Sequence, residues 1–386
     1  MDLLERLNQL SSDMKFEPAE DIGCPQPLQT CRTAESLNVS HALLPNGKQI
    51  SLLKTLLSSA CERNCYYCGF RSGRDFRRIH MNPDEMAQSF ILAHRAGIVQ
   101  GLFLSSGVTG SGVHSQDNLI ATVEILRKKY HFTGYIHLKL MPGSEYAQVE
   151  RSMHLANRIS LNLESPNLSR LEMLAPKKAF FDELLQPLKW VDEIRKTKPA
   201  YLGFNGRWPS MTTQFVVGAV DETDLELLST TATLQNELHL GRVYYSAFRP
   251  VPDTPFENVS PTPAIRQHRL YQASFLLRDY GFDLEDLPFE PASGNLPSTI
   301  DPKLAWANQN LSGRPLELNQ ADRHDLLRLP GIGPRKAESI LQARRKGLFH
   351  NVEILKSLGI DLSRISPFIL IDGKQPNQQL SLWPVG

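Results

Sequence analysis

The sequence predicts an α/β protein: a parallel sheet wound by crossover helices, followed by a small all-α domain. Three observations carry that prediction. From residue 50 to residue 280, strand-like and helix-like segments alternate. One strand candidate, 158–164, sets Ser160, Asn162 and Glu164 against Ile159, Leu161 and Leu163, the period of two that divides a strand between two faces. Beyond residue 314 the chain turns basic and helical, with two glycines marking a tight turn.

The elements follow in order. Residues 1–49 form an N-terminal extension, with a short helix at its start and no periodicity around Pro18, Gly23, Pro25 and Pro27. Cys24 and Cys31 lie there, too few to hold a cluster alone, and read as free thiols. Strands are expected at 50–57, 101–106, 134–140, 158–164, 213–220 and 242–248. Helices fill the gaps at 83–96, 116–130, 179–196 and 262–280. Asn82 caps the first of these, Pro83 suits its first turn and Glu85 completes a capping box. A sheet covered on both faces is normally apolar throughout. The polar set on 158–164, repeated by His137 and Lys139 one strand earlier, therefore points to a cavity wall. Residues 288–315, rich in Pro, Ser, Gly and Asn, read as a linker interrupted by a short helical piece around Trp306.

Composition narrows the function. Hydrophobic content of 41% and charged content of 22% are those of a globular protein. A formal net charge of +1 supplies no global field toward nucleic acid or membrane. No run reaches the length of a membrane helix, and MDLLERLNQL lacks a signal-peptide core. With five cysteines in all, a reducing cytoplasm is the expected location.

The chemistry centres on ACERNCYYCGF at 60–70, directly after the first strand. Cys61, Cys65 and Cys68 have C-x₃-C-x₂-C spacing, so three thiolates on one loop can each bind a different iron of a four-iron cluster and leave the fourth iron open. A partial zinc site is the alternative, although structural zinc normally takes four ligands and no second cysteine or histidine pair follows. A disulfide would leave one cysteine over.

This loop resembles the signature of the radical S-adenosylmethionine enzymes, in which the open iron holds the methionine part of the cofactor. Tyr67, before the last cysteine, matches the aromatic of that pattern. The resemblance implies a partial (β/α)6 barrel over 50–287, a 4Fe-4S cluster on Cys61, Cys65 and Cys68, S-adenosyl-L-methionine as cofactor, and an electron donor. It also implies that Ser105, Ser106 and Gly107 take the place of the glycine-rich turn at the methionine ammonium, here without the family's acidic residue. Asn162 and Glu164 stand where ribose hydroxyls are bound. Val216, Gly218 and Asp221, in QFVVGAVDE, resemble the family's pattern near the adenine, with Gln214 in place of its first glycine.

The tail, 316–372, carries LLRLPGIGPRKAESIL, which closely resembles the helix-hairpin-helix motif, a grip on the DNA backbone that does not read sequence. Helices are expected at 319–329, capped by Asn319, and at 335–346. Gly331, Ile332 and Gly333 form the turn between them, and Arg335 and Lys336 add charge. From 314 to 350 there are eight Lys/Arg against four Asp/Glu, a net of +4 in a chain of net +1, so the remainder carries −3. A second hairpin at 356–364 has Asp361 in place of its second glycine and reads as a structural repeat. Barrel and tail together, with APKKAFF, YYSAFRPVPDTP, HRLYQASFLLRDYGF and IDPKLAWA, resemble the DNA modification or repair subfamily of these enzymes. That implies a nucleic-acid substrate and a uracil-DNA-glycosylase-like partner. The alternative is a small-molecule or protein substrate, with the hairpin as a docking module.

Overall fold

The computed structural model describes residues 2–16, 37, 39–43 and 47–376; Cys24 and Cys31 lie outside the described residues. The chain divides into two compact units, Met1–Glu222 with Thr233–Pro263, and Thr223–Ala232 with Ala264–Gly386.

The first unit holds a sheet of seven strands in sequential order: β1 Val39–Leu43, β2 Gln49–Leu56, β3 Gly101–Ser105, β4 Tyr135–Lys139, β5 Arg158–Ser160, β6 Ser210–Val217 and β7 Arg242–Ala247. Strands β2 to β7 are parallel, which gives the six expected strands of a partial barrel; β1 adds an antiparallel edge from within the N-terminal extension. All five residues of β3 are buried, apolar at its centre (Leu102, Phe103 and Leu104), as suits a strand covered on both faces, and Ser105 ends it at the cavity. Because the six strands run the same way, the loops after them gather at one edge of the sheet.

Local signals explain the boundaries. The capping box at the helix Pro83–Arg95 is closed in both directions at 2.9 Å, Glu85 N–H to Asn82 Oδ1 and Asn82 N–H to Glu85 Oε2. The helix expected from residue 116 starts earlier, as Gly112–Glu124, because the Ser111 hydroxyl caps it by accepting from the His114 N–H at 3.0 Å. β5 is shorter than expected. Beyond the Leu161 N–H, which still donates to Thr212 O at 3.3 Å, the Thr213 hydroxyl takes the Leu163 N–H at 3.1 Å, and backbone bonding to β6 returns at Glu164 opposite Phe215. His137 and Ser160, both buried, satisfy each other at 2.8 Å, so the polar face of β4 and β5 opens toward a cavity only above them.

The second unit packs the helices Ala264–Asp279, Pro302–Asn310, Arg323–Arg328, Pro334–Lys346, Glu353–Ser357 and Leu362–Ile365. Its core includes Leu326, Ile332, Ile340, Phe349, Leu355 and Ile365. The helix expected at 319–329 begins instead at Arg323, and its cap is Asp322, whose carboxylate accepts from the Asp325 N–H at 2.8 Å. Asn319 is drawn elsewhere: its carboxamide bridges the Phe349 N–H and C=O at 2.9 and 2.8 Å. Among the described residues no helix is long and apolar enough to cross a membrane.

Candidate functional site

At the C-terminal edge of the parallel strands lies a cavity of about 200 Å³. Cys61, Cys65, Cys68 and Tyr67 reach it from the loop after β2, Ser105, Ser106 and Gly107 from the end of β3 and the turn beyond it, and Asn162 and Glu164 from beyond β5. None of the three cysteines is in a disulfide. The loop is fixed by its backbone: Glu62 N–H donates to Val108 O at 2.8 Å, Tyr66 N–H to Leu174 O at 2.9 Å and Ser72 N–H to Arg63 O at 2.8 Å. Gly107 is where the second loop presses on the first. A Cβ there would stand 2.0 Å from the Ala60 carbonyl oxygen and 3.1 Å from the Cys61 Cβ, so any side chain would displace the first cysteine.

The site's electrostatics are those of a cavity that has drawn charge inward. Burial pushes the Cys68 thiol up to about 12 and raises Cys65, with the Lys178 ammonium pulling the other way. Burial also raises the Tyr67 hydroxyl well above its ordinary value, and the Glu164 carboxylate adds to it. Lys178 pairs with Glu164 at 2.8 Å, both side chains under a tenth exposed. Burial alone would lower that ammonium, but Cys65 and Glu164 outweigh it and hold it above the ordinary lysine range. Glu164 itself sits at φ 67, a left-handed conformation unusual for a side-chain-bearing residue, held by its N–H to Gln214 O at 3.0 Å and by Val216 N–H to its own carbonyl at 2.8 Å.

Two buried oxygens of residues that line this space lack a hydrogen-bond partner among the described residues, Glu164 Oε2 and Gln214 Oε1. Native interiors rarely leave such atoms unpaired. A ligand that brings hydroxyl or amine donors would satisfy them, and three unpaired thiols beside them can hold a metal cluster. The donor set therefore fits an iron–sulfur cluster with a polar, donor-rich organic molecule next to it.

Several of these residues were not visible as site residues in the sequence. Lys178 belongs to APKKAFF, and only the fold brings it to Glu164. Asp13 and Met14, from the N-terminal segment, also line the cavity. Arg63 ties the cysteine loop to Glu183 and to the Lys177 carbonyl. Gln214 contributes to a second cavity of about 100 Å³ that shares Tyr67, Cys68 and Phe70 with the first and adds Val216, Ser246 and Arg249. Gly218 and Asp221 line neither space. Gly218 has φ 86 and packs on Thr262, Asp221 is exposed, and the carboxylate that ties this turn is Glu222, which accepts from the Gly218 N–H.

In the second unit the hairpin residues meet in one turn. Gly331 has φ 78, which only glycine adopts without cost, and Gly333 is the N-cap residue of Pro334–Lys346. Neither amide N–H has a partner among the described residues. Ile332 is 1% exposed and anchors the turn in the core, while Arg335 is exposed and Lys336 half-buried.

Comparison with known proteins follows this division. Residues 55–207 match the Radical SAM superfamily, and residues 312–361 match the helix-hairpin-helix motif. The chain carries a radical S-adenosylmethionine domain and a helix-hairpin-helix motif. Domains of this superfamily are enzymatic, and their cofactors are a 4Fe-4S cluster and S-adenosylmethionine. No curated protein matches the chain. Among solved structures it is similar to methylornithine synthase PylB, at 13% identity and TM-score 0.47 over 58% of this chain and 61% of that one. It is also similar to the FeFe-hydrogenase maturase HydG from Carboxydothermus hydrogenoformans, at 17% identity and TM-score 0.45 over 58% and 51%. A radical SAM methyltransferase from Sphaerobacter thermophilus aligns at 16% identity and TM-score 0.43 over 62% and 70%. The chain spans about half the length of the HydG structures and 61% of PylB.

Proposed function

We propose that the protein is a radical S-adenosylmethionine enzyme that acts on DNA, modifying or repairing a base or sugar. The observation that carries the enzymatic part is the convergence of three free thiols on one cavity with two orphaned buried oxygens. Cys61, Cys65 and Cys68 would hold the cluster, and loading it requires each thiol to lose its proton, against the burial that now raises Cys65 and Cys68. Glu164, oriented by Lys178, offers carboxylate oxygens to ribose hydroxyls, with Asn162 beside it. Ser105 to Gly107 offers backbone atoms to the amino-acid end of the cofactor, and the apolar lining of Leu56, Val108 and Met141 keeps water from the reacting centre. When bound and reduced, the cluster and cofactor supply a 5′-deoxyadenosyl radical that abstracts a hydrogen atom from the substrate.

The DNA part rests on the hairpin: two unpartnered backbone N–H groups at the start of a helix, flanked by Arg335 and Lys336, suit a phosphate. The subfamily resemblance supports a glycosylase-like protein as partner. Two measurements test the reading. Reduced, reconstituted protein should cleave S-adenosylmethionine to methionine and 5′-deoxyadenosine. The full chain should bind duplex DNA with little sequence preference, and Arg335→Ala and Lys336→Ala should each lower the slope of log affinity against log salt by about one. Wild-type affinity and slope in both variants would overturn the DNA assignment and leave the docking-module alternative.

A further inference from the structure

A cavity of about 270 Å³ lies in the second unit against the hairpin turn, walled by Gly331 and Gly333, by Tyr280 and Gln272, and by Lys303 and Arg364. Its wall is rich in unused donors. Lys303 is 7% exposed, its ammonium lies 4.6 Å from the Tyr280 ring centre, and among the described residues its one hydrogen bond is to the Ile332 carbonyl at 2.5 Å. An ammonium carries three N–H groups, so two are left over. Arg364 is exposed, its stem lies against Gly331, and its guanidinium has no hydrogen bond or ion pair among the described residues. The Gly331 and Gly333 N–H groups likewise have no partner among the described residues. The one carboxylate in the wall, Asp301, is already engaged, accepting from Leu304 N–H at 3.0 Å and from the Gln272 carboxamide at 2.6 Å. Were Lys303 only a strut for the turn, its bond to Ile332 would suffice, and the convergence of Arg364 and two free amides on the same space would have no purpose.

We propose that this cavity binds a phosphate monoester, the terminal phosphate of a DNA strand, held by Lys303, Arg364 and the Gly331 and Gly333 amides. The proposal rests on the DNA reading of the hairpin and narrows it from backbone in general to strand ends. Two cations in a concave site match the dianion and three terminal oxygens of a monoester. A diester carries one charge and continues in both directions, which suits an open surface and not a recess. The protonation of Lys303 supports the match: burial, opposed by Asp301 and aided by Arg364, brings its ammonium down to about 7 in all, so an entering phosphate would draw a proton onto it.

The test compares, by fluorescence anisotropy with the full chain, matched duplexes ending in 5′-phosphate or in 5′-hydroxyl and a closed circle with no ends. The proposal expects the phosphorylated end to bind roughly tenfold tighter than the hydroxyl end, which is about the value of one charged contact. Lys303→Met should erase that preference. So should Arg364→Gln, an exposed change that leaves the Lys303 bond to the turn in place, and in that variant the circle should bind as it does to wild type. Equal affinity for the two ends, with duplex binding intact, overturns the proposal. A parallel arm adds inorganic phosphate to DNA-free protein and follows thermal unfolding. Stabilisation of wild type but not of Arg364→Gln, in a protein that binds no duplex, would keep the phosphate site and reject the DNA reading. Absence of both effects rejects both.

Discussion

The Glu164–Lys178 pair offers the sharpest quantitative test of the barrel site. Both side chains are almost fully buried, at 5% and 8% exposure, and they meet at 2.8 Å. Replacing Lys178 by Met leaves the Glu164 carboxylate in the cavity with neither oxygen paired, since Oε2 already lacks a partner. Breaking a buried pair in this way costs about 3–5 kcal/mol, whereas replacing both partners by neutral groups of similar volume is often close to neutral. The metal-free protein, kept reduced, should therefore lose about 3–5 kcal/mol in urea unfolding with Lys178→Met. The double variant Glu164→Gln, Lys178→Met should recover most of that, a coupling of at least about 2 kcal/mol between neighbours. Far-UV circular dichroism with the first unit's transition resolved from the second is the readout. The single variant should also weaken S-adenosylmethionine binding by the loosened aim of Glu164. A loss below about 1 kcal/mol that is simply additive in the double variant would show the pair to be solvated and the cavity wall misread.

Three further outcomes follow from named contacts. Alanine at any one of Cys61, Cys65 or Cys68 should abolish four-iron absorbance and cofactor cleavage, while alanine at Cys24 or Cys31 leaves both, as iron and sulfide analysis will show. Gly107→Ala should lower cluster loading in otherwise folded protein, because its Cβ meets the Ala60 carbonyl at 2.0 Å and the loop bearing Cys61 must move; full loading would contradict the packing argument. Lys303 gives a pH signature: its ammonium is depressed to about 7 in the fold, so between pH 7 and its ordinary value near 10.4 the unfolded chain binds more protons, and stability rises with pH across that window and is lost as pH falls through 7. Lys303→Met should flatten that slope for the second unit, and an unchanged slope would mean that Lys303 is solvated.

What the sequence could convey was whatever its spacing or local capping encodes. Three cysteines within eight residues announce a loop ligand set by themselves, and the alternation at Ser160, Asn162 and Glu164 marks a wall because period two is a local property. Lys178 had no such marker. It sits in a loop fourteen residues after Glu164, and the intervening helix Leu168–Leu174 with the loop beyond it folds it back. Asp13 and Met14 reach the cavity from a segment that precedes both β1 and β2, and no periodicity links them to the cysteine loop. The Asp322 cap was legible in principle, as an acidic residue three before Asp325, but Asn319 offered an equally good cap residue and lost to its long-range bonds with Phe349. Asp221 matched the family pattern by position, but in the fold it is exposed, and the adjacent buried Glu222 is the one that accepts from the Gly218 N–H. The hairpin was plain from PGIGP, yet Lys303, which braces it, comes from the stretch read as a linker.

The most direct test of the central claim is isotope transfer. Reconstituted, reduced protein is incubated with S-adenosylmethionine and an oligonucleotide duplex deuterated at its non-exchangeable base and sugar positions, and the 5′-deoxyadenosine formed is analysed by mass spectrometry. The account predicts deuterium in the 5′-deoxyadenosine, dependent on Cys61, Cys65 and Cys68. Abundant 5′-deoxyadenosine without deuterium, from DNA that the protein demonstrably binds, would contradict it.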